Sequence, residues 1–264
     1  MNLELDQKLA LVTGSTAGIG LAIAQGFAAE GARVIINGRT AERVEAAIAE
    51  IRKANPEAKL ERLVADLSQA AAAADTIARF PNVDILVNNL GMYGPKAFEE
   101  ISDEDWNGII ETNFLSGMRL SRHYLPAMKK VGWGRILFIS SESAVNIPSE
   151  MIHYGVTKTM QVALASGLAA LTAGTAVTVN SVLVGPTWSE GVEQFVRDIS
   201  TQQGKPAKQV EAEFFKSVRP NSLLQRFETT AEVANTVVFL ASPLASATNG
   251  AAVHVEGGVI RSIL

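Results

Sequence analysis

The sequence predicts an α/β fold in which a doubly wound, parallel sheet of seven strands is flanked by helices. Short apolar runs alternate with longer helical patterns along the chain, as expected when helices connect parallel strands. Most of these runs are rich in Val, Ile and Leu, as strands covered on both faces should be. Hydrophobic residues make up 47% and charged residues 19% of the 264 residues, which is sufficient for a large core.

The strands are predicted where apolar runs of strand length end at turn-forming or polar residues. "LALVT" precedes a glycine-rich turn, for example, and "RILFIS" precedes a serine-rich one. In chain order the predicted strands are residues 9–13, 33–37, 60–65, 83–88, 135–140, 176–182 and 251–255.

Helices are predicted between the strands, and the main helical stretches are residues 19–29, 40–54, 103–130 and 155–173. Only residues 188–224 interrupt the alternation. There Gly204 and Pro206 separate two helical patterns, "GVEQFVRDIS" and "AKQVEAEFFKSV". We interpret this segment as a small helical lid inserted before the last strand, so that residues 1–264 form a single domain.

Composition excludes several classes of function. The net charge of −4 and the pI of about 5.5 argue against nucleic-acid binding. The chain has no cysteine, and its three histidines do not have metal-ligand spacing, so we expect no metal site. The apolar stretch 162–185 is interrupted by polar residues and glycines, and the N-terminus has no signal-peptide pattern. We therefore expect a cytoplasmic protein that does not enter the membrane.

A glycine-rich turn, "TGSTAGIG", follows the first predicted strand. In open α/β sheets ligands bind beyond the carboxyl ends of the strands. Glycines at this point let backbone amides approach a pyrophosphate at the start of a helix. The alternative is a turn in which the glycines have only a structural role.

The spacing T-G-x-x-x-G-x-G resembles that of the short-chain dehydrogenase/reductase family, including its 3-oxoacyl-carrier-protein reductase-like members. Similar motifs follow in the family's order over essentially the whole chain: "VADL", "NNLG", "ETNFLSG", "ISSESA", "YGVTK", "VNSVLVGPT" and "VEGG". The resemblance implies a Rossmann-type fold that binds a nicotinamide cofactor. The cofactor-binding residues that it implies, together with Arg39, are Gly14, Ser15, Thr16, Gly18, Ile19, Gly20, Asp66, Leu67, Asn89, Gly91, Tyr154, Lys158, Gly185 and Thr187.

The resemblance also implies four catalytic side chains. Tyr154 would exchange a proton with the substrate oxygen, and Ser141 would position that oxygen. Asn113 would support a water relay, and Lys158 would hold the nicotinamide ribose. Because Tyr154 and Lys158 are four residues apart at the start of a predicted helix, they share one face. We expect the ammonium to lower the pKa of the phenol.

The residue after the second strand bears on the choice of cofactor. Members of the family that prefer NAD usually carry an acidic residue there, whereas this chain has Gly38 followed by Arg39. A guanidinium can bind the 2′-phosphate of NADP. We therefore expect NADP(H), with NAD(H) as a possible second cofactor. The alternative is that Arg39 is merely solvated before a helix whose N-cap is Thr40.

The sequence indicates the substrate-binding residues less clearly than the catalytic and cofactor-binding ones. For the Met and aromatic positions among them, the alternative is that they only pack within the lid. Glu142 is expected to point away from Ser141, because successive side chains of a strand alternate between its faces. His153 is expected to be a surface or supporting residue. The candidates are Met92, Tyr93, Ser143, Met151, Val184, Trp188 and Phe195.

Three positions depart from the family pattern. Leu90 replaces an alanine and should change packing near the nicotinamide or the pocket floor. Val184 replaces a proline, which leaves the loop that enters the lid less restricted. Glu256 replaces an aspartate, and none of the three changes removes a catalytic group.

The sequence therefore predicts an NADP(H)-dependent carbonyl reductase or alcohol dehydrogenase. A 3-oxoacyl-carrier-protein reductase is the alternative enzyme, although the helix after Lys158 has no basic residue for an acidic carrier. A non-catalytic dinucleotide sensor or scaffold is the alternative from another class. Because the same helix is apolar around most of its circumference, we also expect a homodimer or homotetramer.

Overall fold

Short apolar segments form the strands of the computed structural model, which describes residues 2–262 except for the side chain of Phe195. The strands in chain order are β1 (Leu9–Val12), β2 (Arg33–Gly38), β3 (Lys59–Val64), β4 (Ile85–Asn88), β5 (Gly134–Ser141), β6 (Val177–Val184), β7 (Thr187–Trp188), β8 (Glu228–Thr229) and β9 (Ala252–Val255).

Helices cover both faces of the sheet and connect the strands. They are α1 (Gly18–Ala29), α2 (Ala41–Ala54), α3 (Ala70–Arg79), α4 (Asp103–Ile110), α5 (Ser116–Val131), α6 (Ile152–Ala170), α7 (Glu190–Gln203), α8 (Ala207–Ser217) and α9 (Thr230–Leu240). A π-helical turn (Glu111–Leu115) joins α4 to α5.

Within residues 2–262, seven strands form one parallel sheet in the order β3-β2-β1-β4-β5-β6-β9. The strand order reverses between the neighbouring strands β1 and β4. In a doubly wound sheet the crevice at such a reversal, beyond the carboxyl ends of the strands, is where ligands bind. The predicted doubly wound, seven-stranded parallel sheet is confirmed.

Two apolar clusters cover the two faces of the sheet. On one face Val12 of β1 packs with Phe27 of α1 and Val237 of α9. On the other face Leu11 and Phe138 pack with α5 and α6. Neighbouring residues of β1 therefore belong to opposite cores, which explains why the strands read as continuous apolar runs.

Some elements differ from the predicted ones. The single helix predicted over 103–130 is divided by the π-helical turn, which carries Asn113. Helices α3 and α9 were not among the main predicted stretches, and the two-residue strands β7 and β8 are too short to leave a pattern. These two strands pair with each other and connect the end of β6 to the start of α9.

Residues 190–217 form two helices, as the sequence predicts for this segment. They have a small apolar cluster of their own, in which Val196 of α7 packs with Val210 and Phe215 of α8 and with Phe227. We call residues 188–224 the lid segment. In the part of the chain that the structure describes, no helix has the length and apolarity needed to cross a membrane.

Candidate active site

The glycine-rich turn lies between β1 and α1, at the carboxyl edge of the sheet. Gly14 and Gly18 have φ angles of 62° and 56°, a region that favours glycine. Helix α1 begins without a side-chain cap, because its N-cap is Ala17, and its first turn has no acidic residue. Its first amides are thus free to bind an anion, and the helix dipole favours one. The predicted residues Ser15, Thr16, Ile19 and Gly20 belong to this same segment.

Two asparagines hold the turn in place. The Asn89 side-chain amide donates to the carbonyls of Thr13 (3.0 Å) and Gly14 (3.1 Å). The Gly14 amide donates to Oδ1 of Asn37 at 3.0 Å. Asn89 therefore supports the turn from β4 while it also lines the cavity described below. Asn37, which the sequence analysis missed, has the same supporting role from β2.

The far end of the turn lies beside β2. A Cβ atom built on Gly38 would lie 2.5 Å from Cγ2 of Thr16, so an acidic side chain does not fit there unless Thr16 moves. The next residue, Arg39, is exposed. Thr40 caps α2, as its pattern suggests, by accepting from the Arg43 amide at 3.4 Å. The end of β2 thus offers a cation and no carboxylate.

Asp66 and Leu67 follow β3, next to the end of β2. Oδ1 of Asp66 accepts hydrogen bonds from the amide (3.1 Å) and hydroxyl (2.7 Å) of Ser68. Leu67 is fully buried in the core. The Asp66 carboxylate is therefore held in a fixed orientation at the carboxyl edge of the sheet.

The four predicted catalytic residues come from three elements. Ser141 ends β5, and Tyr154 and Lys158 lie in the first two turns of α6. The Ser141 oxygen accepts from the Ser143 amide at 3.1 Å, and the Ser141 side chain is near enough to the Tyr154 phenol to lower its pKa. Asn113 lies in the π-helical turn. Such turns occur frequently at functional sites.

Lys158 points beneath the tyrosine. Its Nζ donates to the carbonyl of Ile139 (2.8 Å) and to Oε1 of Gln161 (3.3 Å), and it lies 5.6 Å from the centroid of the Tyr154 ring. Gln161 in turn donates through Nε2 to the carbonyl of Asn113. A chain of polar contacts therefore connects Lys158 to the π-helical turn.

The Asn113 side chain is occupied by its neighbours. Its Oδ1 accepts from the Met92 amide at 2.8 Å, and its Nδ2 donates to the Met92 carbonyl and to Oγ1 of Thr157, both at 3.0 Å. This side chain fixes the loop after β4, where Gly91 lies beside Lys158. The sequence analysis missed Gln161, although a polar residue three positions after the lysine in an apolar helix is a signal.

Burial dominates the electrostatics of this centre. Desolvation raises the pKa of Tyr154 to about 12, and this effect outweighs the lowering effect of the Ser141 side chain. Desolvation also lowers the pKa of Lys158 to about 7. The expectation that Lys158 lowers the pKa of Tyr154 is not met in the structure, since the ammonium is directed at the Ile139 carbonyl. At neutral pH the phenol is protonated and can donate its proton.

A cavity of about 1000 Å³ opens above these side chains. It extends from Ile19 and Asn89 to the lid segment, and Gly185 and Thr187 lie on its wall. Four of the candidate substrate residues also line it, namely Tyr93, Ser143, Met151 and Val184.

Two of the other candidates, Met92 and Trp188, do not line this cavity. Met92 is exposed and is held through its backbone by Asn113. Trp188 packs edge-on against Phe227 with ring centroids 5.5 Å apart, and it lies on a separate cleft of about 210 Å³. Because Trp188 follows Thr187 in β7, its side chain points to the opposite side of that strand. The side chain of Phe195 lies outside the described part of the structure.

Glu142 lies on the cavity wall together with Ser141, so the expectation that it points away is wrong. The chain enters a 3₁₀ turn at residues 142–144, and the alternation of a strand no longer applies there. Its Oε1 accepts from Nε of Arg219 at 2.7 Å. Burial raises the pKa of Glu142, and Arg219 opposes that shift. His153 is buried and packs edge-on against Trp106, which agrees with a supporting role.

The three departures from the family pattern all lie close to the site. Leu90 packs on the glycine turn, because a Cβ atom on Gly14 would lie 3.1 Å from its Cδ2. Val184 lines the cavity at the end of β6. Glu256 is buried and accepts the amides of Val259 and Ile260. Its carboxylate therefore orders the segment that follows β9.

Comparison with known proteins agrees with this geometry. A family model described as short chain dehydrogenase matches residues 8–200. The chain is 47% identical over 266 aligned residues to YvrD, an uncharacterized oxidoreductase of Bacillus subtilis, and the match covers 100% of both chains. It is 35% identical to a D-beta-hydroxybutyrate dehydrogenase of Cupriavidus necator, over 96% of this chain and 98% of the relative.

A similar solved structure is that of L-sorbose reductase from Gluconobacter frateurii, complexed with NADPH and L-sorbose. It superposes with a TM-score of 0.93 and covers 100% of both chains at 27% sequence identity.

Proposed function

This chain belongs to the short-chain dehydrogenase family, and from that premise we propose that it is an NADP(H)-dependent oxidoreductase that interconverts a carbonyl and a secondary alcohol by hydride transfer. One observation carries the proposal. The cavity that contains Ser141, Tyr154 and Lys158 adjoins the uncapped start of α1, so one space can hold a dinucleotide and a small substrate together.

The cofactor supplies the hydride, and the residues of this chain manage the proton and the geometry. In the reducing direction Tyr154 donates its phenolic proton to the oxygen of the substrate carbonyl. Ser141 donates a hydrogen bond to the same oxygen and holds it beside the phenol. Lys158 lies 5.6 Å from the centroid of the Tyr154 ring, where its Nζ can hold the nicotinamide ribose, as the family resemblance implies. In the oxidising direction the phenolate removes the proton of the alcohol.

Preference for NADP(H) is supported by the end of β2. Gly38 leaves no acidic group to repel a 2′-phosphate, and the exposed Arg39 can form charge-assisted hydrogen bonds with one. The L-sorbose reductase structure contains NADPH, which agrees with this assignment. NAD(H) remains the second cofactor to test.

Two alternative functions are less well supported. A 3-oxoacyl-carrier-protein reductase would need basic residues to bind an acidic carrier, and α6 has none after Lys158. A non-catalytic dinucleotide sensor would not require the phenol, hydroxyl and ammonium at one end of the cavity. We further propose that the enzyme acts in the cytoplasm. We also propose that it is a homodimer or homotetramer, because α6 is apolar around most of its circumference and packs only one side on the sheet.

A screen of ketones, aldehydes and secondary alcohols with NADPH, NADH and their oxidised forms tests the proposal. We expect turnover of at least one carbonyl compound, with a higher kcat/KM for NADPH than for NADH. Binding of a dinucleotide without turnover in any reaction of the panel would favour the sensor, and preference for NADH would contradict the assignment of Arg39.

A further inference from the structure

Three charged residues, Glu142, Glu150 and Arg219, meet on the wall of the cavity. Nε of Arg219 donates to Oε1 of Glu142 at 2.7 Å, and Nη1 of Arg219 lies 3.9 Å from Oε1 of Glu150. The side chains of Arg219 and Glu142 are 14% and 4% exposed, whereas that of Glu150 is 47% exposed. All three residues line the same cavity as Tyr154.

The charge of this wall disfavours anionic substrates. Among the described residues that line the cavity, Arg219 and Lys158 are the basic ones. Arg219 already faces two carboxylates. A substrate carboxylate at Arg219 would lie beside the carboxylates of Glu142 and Glu150, and repulsion between these like charges is unfavourable.

One acceptor on this wall has no hydrogen-bond donor. Oε2 of Glu142 is buried and has no hydrogen-bond partner within residues 2–262. A buried acceptor of this kind is stabilised when a donor reaches it. A substrate hydroxyl can donate, whereas a ketone, thioester or carboxylate oxygen cannot.

Glu142 is close to the reacting group. It directly follows Ser141, and its charge contributes to the raised pKa of Tyr154. A hydroxyl bound to Glu142 would therefore be carried on a carbon near the carbonyl. Asn146, Ser149 and Asn221 also line the cavity and can bind further hydroxyl groups.

We propose that the Glu142–Arg219 pair determines specificity and selects neutral carbonyl compounds that carry hydroxyl groups, such as hydroxyketones and ketoses, over carboxylates. The inference rests on the proposed function, since it specifies the substrate class of the same site. Glu142 acts as a binding residue for a substrate hydroxyl, and Arg219 keeps its carboxylate oriented.

Three ketones with four carbon atoms test the inference with NADPH: erythrulose, butan-2-one and acetoacetate. They share a chain length but differ in hydroxyl groups and charge. In the wild type we expect kcat/KM for erythrulose to exceed that of the other two by at least about tenfold, because a site built to bind a hydroxyl rejects analogues without it. This comparison uses only the wild-type protein and does not depend on the folding of a variant.

The variant Glu142→Gln provides a second test. It releases Arg219 from its buried counter-ion, so kcat/KM should fall for erythrulose and rise for acetoacetate, and their ratio should decrease by about 100-fold. Loss of structure alone would lower both values together. Glu57→Gln makes the same chemical change at an exposed position before β3 and should leave the ratio unchanged.

The outcomes separate this inference from the proposed function. If butan-2-one or acetoacetate is reduced as efficiently as erythrulose, or if erythrulose is inert while ketones without hydroxyl groups react, the selection by Glu142 is wrong and the oxidoreductase remains. An unchanged ratio in Glu142→Gln would also overturn the inference. A protein that is inert towards every carbonyl compound would instead contradict the proposed function.

Discussion

Burial strongly changes the pKa of Lys158 in this site. Its folded pKa of about 7 lies well below the value of 10.5 for a free lysine. Between these two values the unfolded chain binds more protons than the folded chain, so this residue makes the free energy of unfolding increase with pH. Below about pH 7 the buried Lys158 is charged in the folded protein, and its unfavourable effect on the free energy of unfolding is largest.

The variant Lys158→Met should therefore be more stable than the wild type near pH 6. The advantage should decrease steadily as the pH rises towards 10. Urea unfolding of both proteins at several pH values measures the difference in the free energy of unfolding. A difference that does not change between pH 6 and pH 10 would show that Lys158 has an ordinary pKa in the folded state.

Arg39 carries the prediction on cofactor choice. Arg39→Ala should weaken NADPH binding by about 1.5–3 kcal/mol, the range for a hydrogen bond to a charged group, with little effect on NADH. Calorimetric titration with both cofactors measures this. Arg52→Ala removes an exposed arginine from the last turn of α2 and is the matched control. Equal weakening of both cofactors by Arg39→Ala would exclude a contact with the 2′-phosphate.

Individual residues could be predicted where a local motif contains them. Ser141, Tyr154 and Lys158 stand in short, ordered motifs, and the structure places them together. Arg219 could not be predicted in the same way, because its partner Glu142 is 77 positions away in the chain and only tertiary packing brings them together. The contact of Gln161 with Asn113, 48 positions away, was equally hidden, although its contact with Lys158 is local.

At the scale of elements, the lid segment is the part least connected to the main cores. Helices α7 and α8 pack on each other and on Phe227 through a cluster separate from the two that cover the sheet. An element with few contacts to the main core can open locally without global unfolding. Closure over bound cofactor and substrate would exclude water from the reacting carbon.

Hydrogen exchange tests this view of the lid segment. Amides of residues 190–215 should exchange faster than those of β1, β4 and β5 in the free protein, and their exchange should slow with NADPH and an unreactive substrate analogue. Equal protection of 190–215 and the central strands in the free protein would mean that the lid segment is a rigid wall. Trp188, a candidate substrate residue in the sequence, instead packs on Phe227 at the start of this segment.

Elements could be predicted from the sequence wherever burial imposes a pattern. The seven strands of the sheet are visible because both of their faces are covered. The division of residues 103–131 into α4, a π-helical turn and α5 could not be seen, because all three pieces have a helical periodicity. Nothing local distinguishes residues 111–115, whose geometry comes with the contacts that Asn113 makes to the loop after β4.

For the whole molecule, the topology explains why distant motifs form one site. Because β1, β4 and β5 are neighbours in a parallel sheet, the turn after β1, the loop after β4 and the end of β5 lie side by side at the same edge. The sequence predicted that these motifs form one site, because their order resembles that of the family. Side-chain direction and protonation within the cavity required the structure, because they depend on burial.

The central claim is that Tyr154 transfers the proton while NADPH supplies the hydride, and the variant Tyr154→Phe tests it most directly. Reduction of the best substrate from the panel is followed as loss of NADPH absorbance, and NADPH affinity is measured separately by titration. We predict that kcat decreases by ~10²–10⁴-fold and that NADPH affinity is almost unchanged, because only the acid–base group is lost. Turnover near the wild-type rate by the Tyr154→Phe protein would contradict the claim.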